Sequence, residues 1–183
     1  MENISQSPTE PAGRFVTVFD IGRAETFEQF YRRELPALVA FAAALSGSAC
    51  AEDIAQEAML AAYRRWDVVS GLDVPAAWVR RVCANRSVST LRRRAVEARV
   101  LLRLGARRGD GPVMAEEHER FWAEVRRLPH RQRQVIALFY IYDLAVAEIA
   151  TTLGCAEGTV KAHLARGRAA LARQFDQPAE AES

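Results

Sequence analysis

VAEIATTLGCAEGTVKAHLARGR, residues Val146 to Arg168, sets two short helical patterns on either side of Leu153-Gly154-Cys155. In the first half, Ile149, Ala150 and Leu153 have the spacing of one buried helical face. Gly154 supplies the left-handed backbone that ends a helix at little cost. Helical spacing resumes at Glu157, with Val160, Leu164 and Gly167 on one side and Thr159, Lys161, His163 and Arg166 around the rest. This is the pattern of a helix-turn-helix whose second helix offers a polar, cationic surface to a DNA groove. A helical hairpin made only for packing has the same spacing, so the rest of the chain must decide between them.

Half of the 183 residues are hydrophobic, and glycine gathers at apparent joints, so the chain is able to bury a core. Apart from Arg14 to Phe19, no stretch alternates with the period-two pattern of a strand, and the predicted fold class is all-α. The net charge of +2 conceals a local asymmetry. Phe27 to Asp73 carries four arginines against seven acidic residues, whereas Pro75 to Arg108 carries ten arginines against Glu97 alone. A basic block of that kind points to a nucleic-acid or other polyanionic partner. Cys50, Cys83 and Cys155 lie far apart in helical patterns and read as reduced, buried thiols rather than a disulfide framework or metal site. Neither a leader nor an apolar run of membrane length is apparent, so a soluble, cytoplasmic protein with no membrane partner is expected. The absence of a phosphate-binding glycine loop, HExxH, CxxC or nucleophile elbow argues against an enzyme, and no cofactor or metal is expected.

Residues 1 to 25 read as a flexible arm. Thr26-Phe-Glu-Gln29 is a capping box that starts a helix running to about Ser46, with Pro36 inside it as a point of kinking or division. A second helix is predicted from about Cys50 to Trp66. Its Asp53, Gln56, Glu57, Leu60 and Arg64 share one face, opposite Ile54, Ala58, Ala61 and Ala62. A solvated face that happens to carry acids has the same spacing. After a loop containing Ser70-Gly71, Pro75 opens a third helix to about Arg94. It pairs an apolar stripe of Trp78, Val79, Val82 and Cys83 with a polar stripe of Arg81, Asn85, Ser89 and Arg92, the groups that phosphate and base-edge contacts need. The composition shift at Arg107-Arg-Gly-Asp-Gly-Pro112 marks a linker before a second, smaller domain. That domain begins with an amphipathic helix from His118 to Arg127 and a helix after Pro129, with Val135, Ile136, Leu138, Phe139 and Tyr142 as core candidates.

Taken together, the chain from about Phe27 to Phe175 resembles the extracytoplasmic-function (ECF) group of sigma factors of bacterial RNA polymerase, in the sigma-70 family. The resemblance rests on Ala51-Glu-Asp-Ile-Ala-Gln-Glu57, on Val74-Pro-Ala-Ala-Trp-Val79 leading to Asn85 and Leu91-Arg-Arg-Arg94, and on Leu128-Pro129 with Arg131-Gln-Arg133. It is completed by Glu148-Ile-Ala150, Leu153-Gly154 and Glu157-Gly-Thr-Val-Lys161. It implies two small helical domains, a region 2 bundle over 26–94 and a region 4 helix-turn-helix over 115–175, joined by a linker at 95–114 and followed by an acidic tail at 176–183. Asp53, Gln56, Glu57, Leu60 and Arg64 would then face core RNA polymerase at a coiled coil of its largest subunit, and the second domain would meet the flap of the second-largest subunit. Val69, Ser70 and Gly71 in the loop, with Arg80, Arg81, Asn85 and Arg92 on the helix, would read and help melt the minus-ten element of promoter DNA by capturing a flipped base. Gly158, Thr159, Lys161, Ala162, His163 and Arg166 would occupy the major groove of the minus-thirty-five element. Members of the group are commonly held inactive by an anti-sigma protein, which makes such a protein a further candidate partner.

The sequence departs from the group's pattern within the hinge itself. Ala145 and Ala156 stand where a capping serine is common, at a cost on the order of 1 kcal/mol each. Ala162 and Ala165 replace larger contact residues, leaving Lys161, His163 and Arg166 as the main polar contacts, so shape and phosphate readout take a larger share. A helix-turn-helix regulator that works without polymerase is the alternative. It accounts for the last domain and leaves the acidic and basic helices upstream without purpose.

Overall fold

The computed structural model describes residues 25–103 and 116–176, with side chains described for 25–89 and 118–176. The predicted arm with its Arg14 to Phe19 island, the centre of the linker, the acidic tail and the side chain of Arg92 lie outside the described residues. Every regular element among the described residues is helical, as the hydrophobic periodicity predicts.

Helix α1, Phe27–Ser46, starts at the expected capping box: the Thr26 hydroxyl accepts from the Gln29 amide at 3.3 Å, and the Thr26 amide donates to Gln29 Oε1 at 3.0 Å. Pro36 neither divides nor ends it. Pro36 and Arg32, whose carbonyl loses its usual partner, are both on the exposed face, so no buried acceptor is orphaned. Gly47, at φ 86°, turns the chain into a single 3₁₀ turn, Ser48–Cys50. Helix α2, Ala51–Tyr63, then stops short of the expected Trp66, and a separate turn of helix, α3, Trp66–Val69, follows. Past the break, the Trp66 ring packs 4.9 Å from Phe30 and 5.4 Å from Phe27, beside Tyr63, which contacts Phe27 at 5.0 Å. Helix α4, Pro75–Arg103, runs nine residues past the expected end at Arg94, through Ala95, Val96, Glu97 and Ala98, which mostly favour helix. Phe30, Leu38, Phe41, Leu45, Met59 and Val79 form the core of this half.

The second half comprises α5, Glu116–Arg127, α6, His130–Tyr142, α7, Val146–Leu153, and α8, Glu157–Asp176. Pro129 occupies the N-cap of α6, and Asp143 ends that helix in the left-handed region at φ 50°. Val135, Ile136 and Leu138 are fully buried as expected, while Phe139 and Tyr142 are only partly covered. Gly154 has φ 64° and ψ 49°, and the Cys155 amide reaches back to the Ala150 carbonyl at 3.0 Å, which closes α7 as the hinge reading requires. Gly167 lets α8 lie directly on α6, since a β-carbon there would sit 3.0 Å from Ile136 Cγ1.

The two halves also touch. Helix α1 packs on α5 and α6, and α4 packs on α7. Phe41 meets Tyr142 at 5.7 Å between ring centres, and the Arg133 guanidinium donates to the Leu45 carbonyl at 2.7 Å.

Candidate protein and nucleic-acid interfaces

The face of α2 is built by the helical period. Ile54, Ala55, Ala58 and Met59 face the core, which leaves Asp53, Gln56, Glu57, Leu60 and Arg64 exposed together. All of these but Arg64 border a groove of about 700 Å³ whose far wall is Phe27 and Tyr31 of α1. Leu60 is 45% and Tyr63 61% exposed, an apolar strip beside carboxylates. Glu57 accepts from Arg86 of α4 at 2.6 Å, which fixes the carboxylate at the rim, and Gln56 donates to Glu52 at 3.2 Å. Sequence reasoning missed Phe27, Tyr31 and Tyr63. Tyr63 lies one helical turn beyond Leu60 and was within reach of the same periodicity.

In the loop before α4, Ser70 and Gly71 are exposed but Val69 is 1% exposed. Val69 is the floor of a 310 Å³ pocket walled by Arg65, Val68, Leu72 and Trp78. Val68 is 63% and Leu72 39% exposed, so the pocket opens as an apolar slot beside a polar loop. A slot of this character suits the flat face of a base better than its hydrogen-bonding edge.

The basic stripe of α4 divides. Asn85 is exposed, as predicted for a DNA contact. Arg80 turns inward: its Nη2 donates to the Glu34 carboxylate at 3.1 Å, and its guanidinium carbon lies 4.1 Å from the centre of the Tyr142 ring. Arg81 is exposed overall, yet its guanidinium nitrogens lie 3.0 Å from where a β-carbon on Gly154 would sit, at the turn of the helix-turn-helix. Burial pushes the Cys83 thiol up to about 12, against the weaker opposing effects of Ser87 and Arg86, so it is an inert packing group.

On α8, Gly158, Thr159, Lys161 and Arg166 are exposed, while Ala162 and His163 are half-buried. Lys161 leans toward Glu157 at 3.7 Å and Arg166 Nε donates to the Ala162 carbonyl at 3.1 Å. Burial, reinforced by Arg166 and Arg131, holds the His163 imidazole below its usual value, so the ring is neutral at pH 7. It therefore contributes hydrogen bonding rather than charge to this surface. Arg131 of α6, which borders the same surface, adds a cation that the second helix alone does not reveal. Arg168 is occupied elsewhere, over the Phe139 ring at 4.6 Å.

No group of three or more potential metal ligands occurs among the described residues, and none of their helices is long and apolar enough to cross a membrane. The chain matches the family models Sigma-70 region 2 over 30–96 and Sigma-70, region 4 over 118–171. It is 32% identical to the ECF RNA polymerase sigma factor SigM of Mycobacterium tuberculosis over 158 residues, covering 83% of this chain and 78% of the relative. It is 30% identical to the ECF RNA polymerase sigma factor SigW of Bacillus subtilis over 140 residues, 68% of this chain and 75% of the relative. Among solved structures it is similar to the sigma factor RpoE of Bartonella quintana, crystallised with the anti-sigma factor NepR. That similarity has 28% identity and a TM-score of 0.66, over 82% of this chain and 98% of the other.

Proposed function

Because the chain belongs to the sigma-70 family of RNA polymerase sigma factors, in its ECF group, we propose that its three exposed faces divide the work of promoter recognition. As a sigma factor it binds core RNA polymerase and directs promoter-specific transcription initiation. The α2 face of Asp53, Gln56, Glu57, Leu60 and Arg64 docks the polymerase coiled coil, with Phe27, Tyr31 and Tyr63 as its apolar wall. Ser70, Gly71, Asn85, Arg80, Arg81 and Arg92 take the minus-ten element, with Val69 supporting the slot that receives an unstacked base. Gly158, Thr159, Lys161, Ala162, His163 and Arg166 take the minus-thirty-five element. The unit over 26–94 and the unit over 115–175 act as region 2 and region 4, and the protein works in the cytoplasm alongside polymerase, without catalysing a reaction of its own. A protein that covers both the α2 groove and the helix-turn-helix would hold it inactive, as an anti-sigma partner would.

The observation that carries this reading is the exposed acidic and apolar groove of α2. A regulator acting on DNA alone has no use for it. Retention of core polymerase by the immobilised chain tests it, followed by run-off transcription. The wild type should retain core and start transcripts, and Asp53→Arg with Glu57→Arg should abolish both while leaving the fold intact by circular dichroism. Retention unchanged by the double substitution would place the polymerase contact elsewhere.

A further inference from the structure

The groove on α2 has a buried apolar floor of Cys50, Ile54 and Met59, an aromatic end where the Phe27 and Tyr63 rings meet at 5.0 Å, and a carboxylate end at Asp53. Leu60 and Tyr63 leave much of their apolar surface open to solvent beside it. Apolar surface rimmed by polar groups marks a place where another stretch of chain lies. The sequence holds one suited to it. Arg14-Phe-Val-Thr-Val-Phe19 is its one run with strand-like alternation, and it lies outside both spans that match the family models. We infer that Arg14 to Phe19 of the same chain occupies the α2 groove and is displaced when core polymerase docks, the competitor being taken from the sigma-factor reading above.

Reach and register agree with this occupant. Phe19 precedes Phe27 by eight residues, and a tether of that length spans up to about 26–29 Å. It delivers Phe19 first to the end of the groove that Phe27 and Tyr63 close. From Tyr63 back to Asp53 is ten residues of α2, or about 15 Å at 1.5 Å per residue. From Phe19 back to Arg14 is five residues, or about 17 Å for an extended chain. The register that sets Phe19 against Tyr63 therefore brings Arg14 to Asp53. Asp53 is exposed and has no cationic partner among the described residues, whereas Glu57 is already held by Arg86 at 2.6 Å. Phe15 to Phe19 contains no acid, so nothing within it repels that rim.

The chemistry of the contact makes it displaceable. Phenylalanine, valine and threonine favour an extended chain over a helix, and extension sends Phe15, Thr17 and Phe19 to one side. The backbone groups of α1 and α2 are paired within their own helices, so the segment finds no main-chain ladder to join. It is held by side chains alone, two phenyl rings on the floor and one arginine at the rim. A second copy of the chain is the poorer occupant, because Phe27 to Asp73 carries seven acids against four arginines and two such faces repel.

Tethering sets the size of the effect. A short flexible tether holds the segment at an effective concentration on the order of 1 mM. If the separate peptide binds with a dissociation constant of about 0.1 mM, the tethered segment is bound about ten to one, and core polymerase binds about tenfold more weakly than it would to an empty groove.

The test compares the full chain with a full-length variant carrying Phe15→Ser and Phe19→Ser, which alters none of the proposed DNA or polymerase contacts. In nitrogen-15 spectra of the two free proteins, amide shifts should differ at Phe27, Tyr31 and from Asp53 to Tyr63, and agree along α8. A peptide spanning Pro11 to Arg23, added to the double variant, should restore the wild-type shifts with a midpoint of about 0.1 mM. Binding to immobilised core polymerase should be about tenfold tighter for the double variant. Identical amide shifts in the two proteins would overturn the inference, as would shift differences that follow protein concentration, since a second copy would then be the occupant. Emptying the groove with no gain in affinity for core would overturn the competition. Failure of both forms to bind core would instead overturn the polymerase-docking reading, and the amide shifts would still decide whether the segment sits in the groove.

Discussion

At position 167 the absence of a β-carbon decides how closely α8 lies on α6. A β-carbon there would stand 3.0 Å from Ile136 Cγ1 and 3.3 Å from Cδ1, and Ile136 is wholly buried in the packed core. Alanine gains about 0.8–1 kcal/mol over glycine in a helix, whereas forcing extra volume into a packed core costs about 1–3 kcal/mol. The clash wins, and Gly167→Ala should lower the melting temperature by several degrees, at about 4–8 °C per kcal/mol for a domain of this size. Gly158 is the internal control, because nothing lies within 4 Å of its β-carbon position. Gly158→Ala should hold or slightly raise the melting temperature. A rise for Gly167→Ala as well would mean that α6 and α8 do not touch as described.

At the scale of the element, the first turn of α7 shows how the hinge survives without its serine. Ala145 has the extended backbone of an N-cap, and its amide donates to Glu148 at 2.8 Å, the return half of a capping box. The forward half is missing, since alanine offers no oxygen to the first-turn amides. Ala145→Ser should therefore add about 1 kcal/mol of stability and raise the thermal midpoint, and Glu148→Ala should lower it, both read by circular dichroism. An Ala145→Ser variant no more stable than the wild type would show that those amides already have acceptors. The hinge, Gly154 and the Thr26 box were legible in the sequence because each depends on residues within a turn of one another. The stop of α2 at Tyr63 was not, because Arg64 and Arg65 at the break include neither glycine nor proline, and the contacts of Trp66 beyond it are with Phe27 and Phe30, far along the chain. The α2 face was legible as a stripe, but its far wall, Phe27 and Tyr31, belongs to another helix. An arginine on a helix face reads the same whether it meets a phosphate or an aromatic ring, so Arg80 gave no sign of turning toward Tyr142.

On the scale of the whole molecule, the question is whether the halves unfold as one. Their buried side chains form a continuous cluster from Phe30 to Leu171, and the polar bonds across it join residues 50 and 88 positions apart, Gln134 to Ala84 and Arg133 to Leu45. A neutral hydrogen bond contributes about 0.5–1.5 kcal/mol and a cation–π contact about 0.5–2 kcal/mol. The polar and cation–π contacts thus add a few kcal/mol to the apolar packing that already joins the halves. With these contacts intact, calorimetry of the full chain should give one endotherm whose van't Hoff and calorimetric enthalpies agree. Combining Tyr142→Leu with Gln134→Ala removes on the order of 2 kcal/mol of that coupling. The endotherm should then broaden and resolve into two, with the van't Hoff enthalpy falling below the calorimetric value. Gly158→Ala, whose added β-carbon meets nothing within 4 Å, should leave a single transition. Two transitions already present in the wild type would mean that α1 and α4 hold α6 and α7 too weakly to couple the halves. A single transition in the double variant would mean that apolar contacts such as Phe41 with Tyr142's neighbours, rather than the polar bonds, couple the halves.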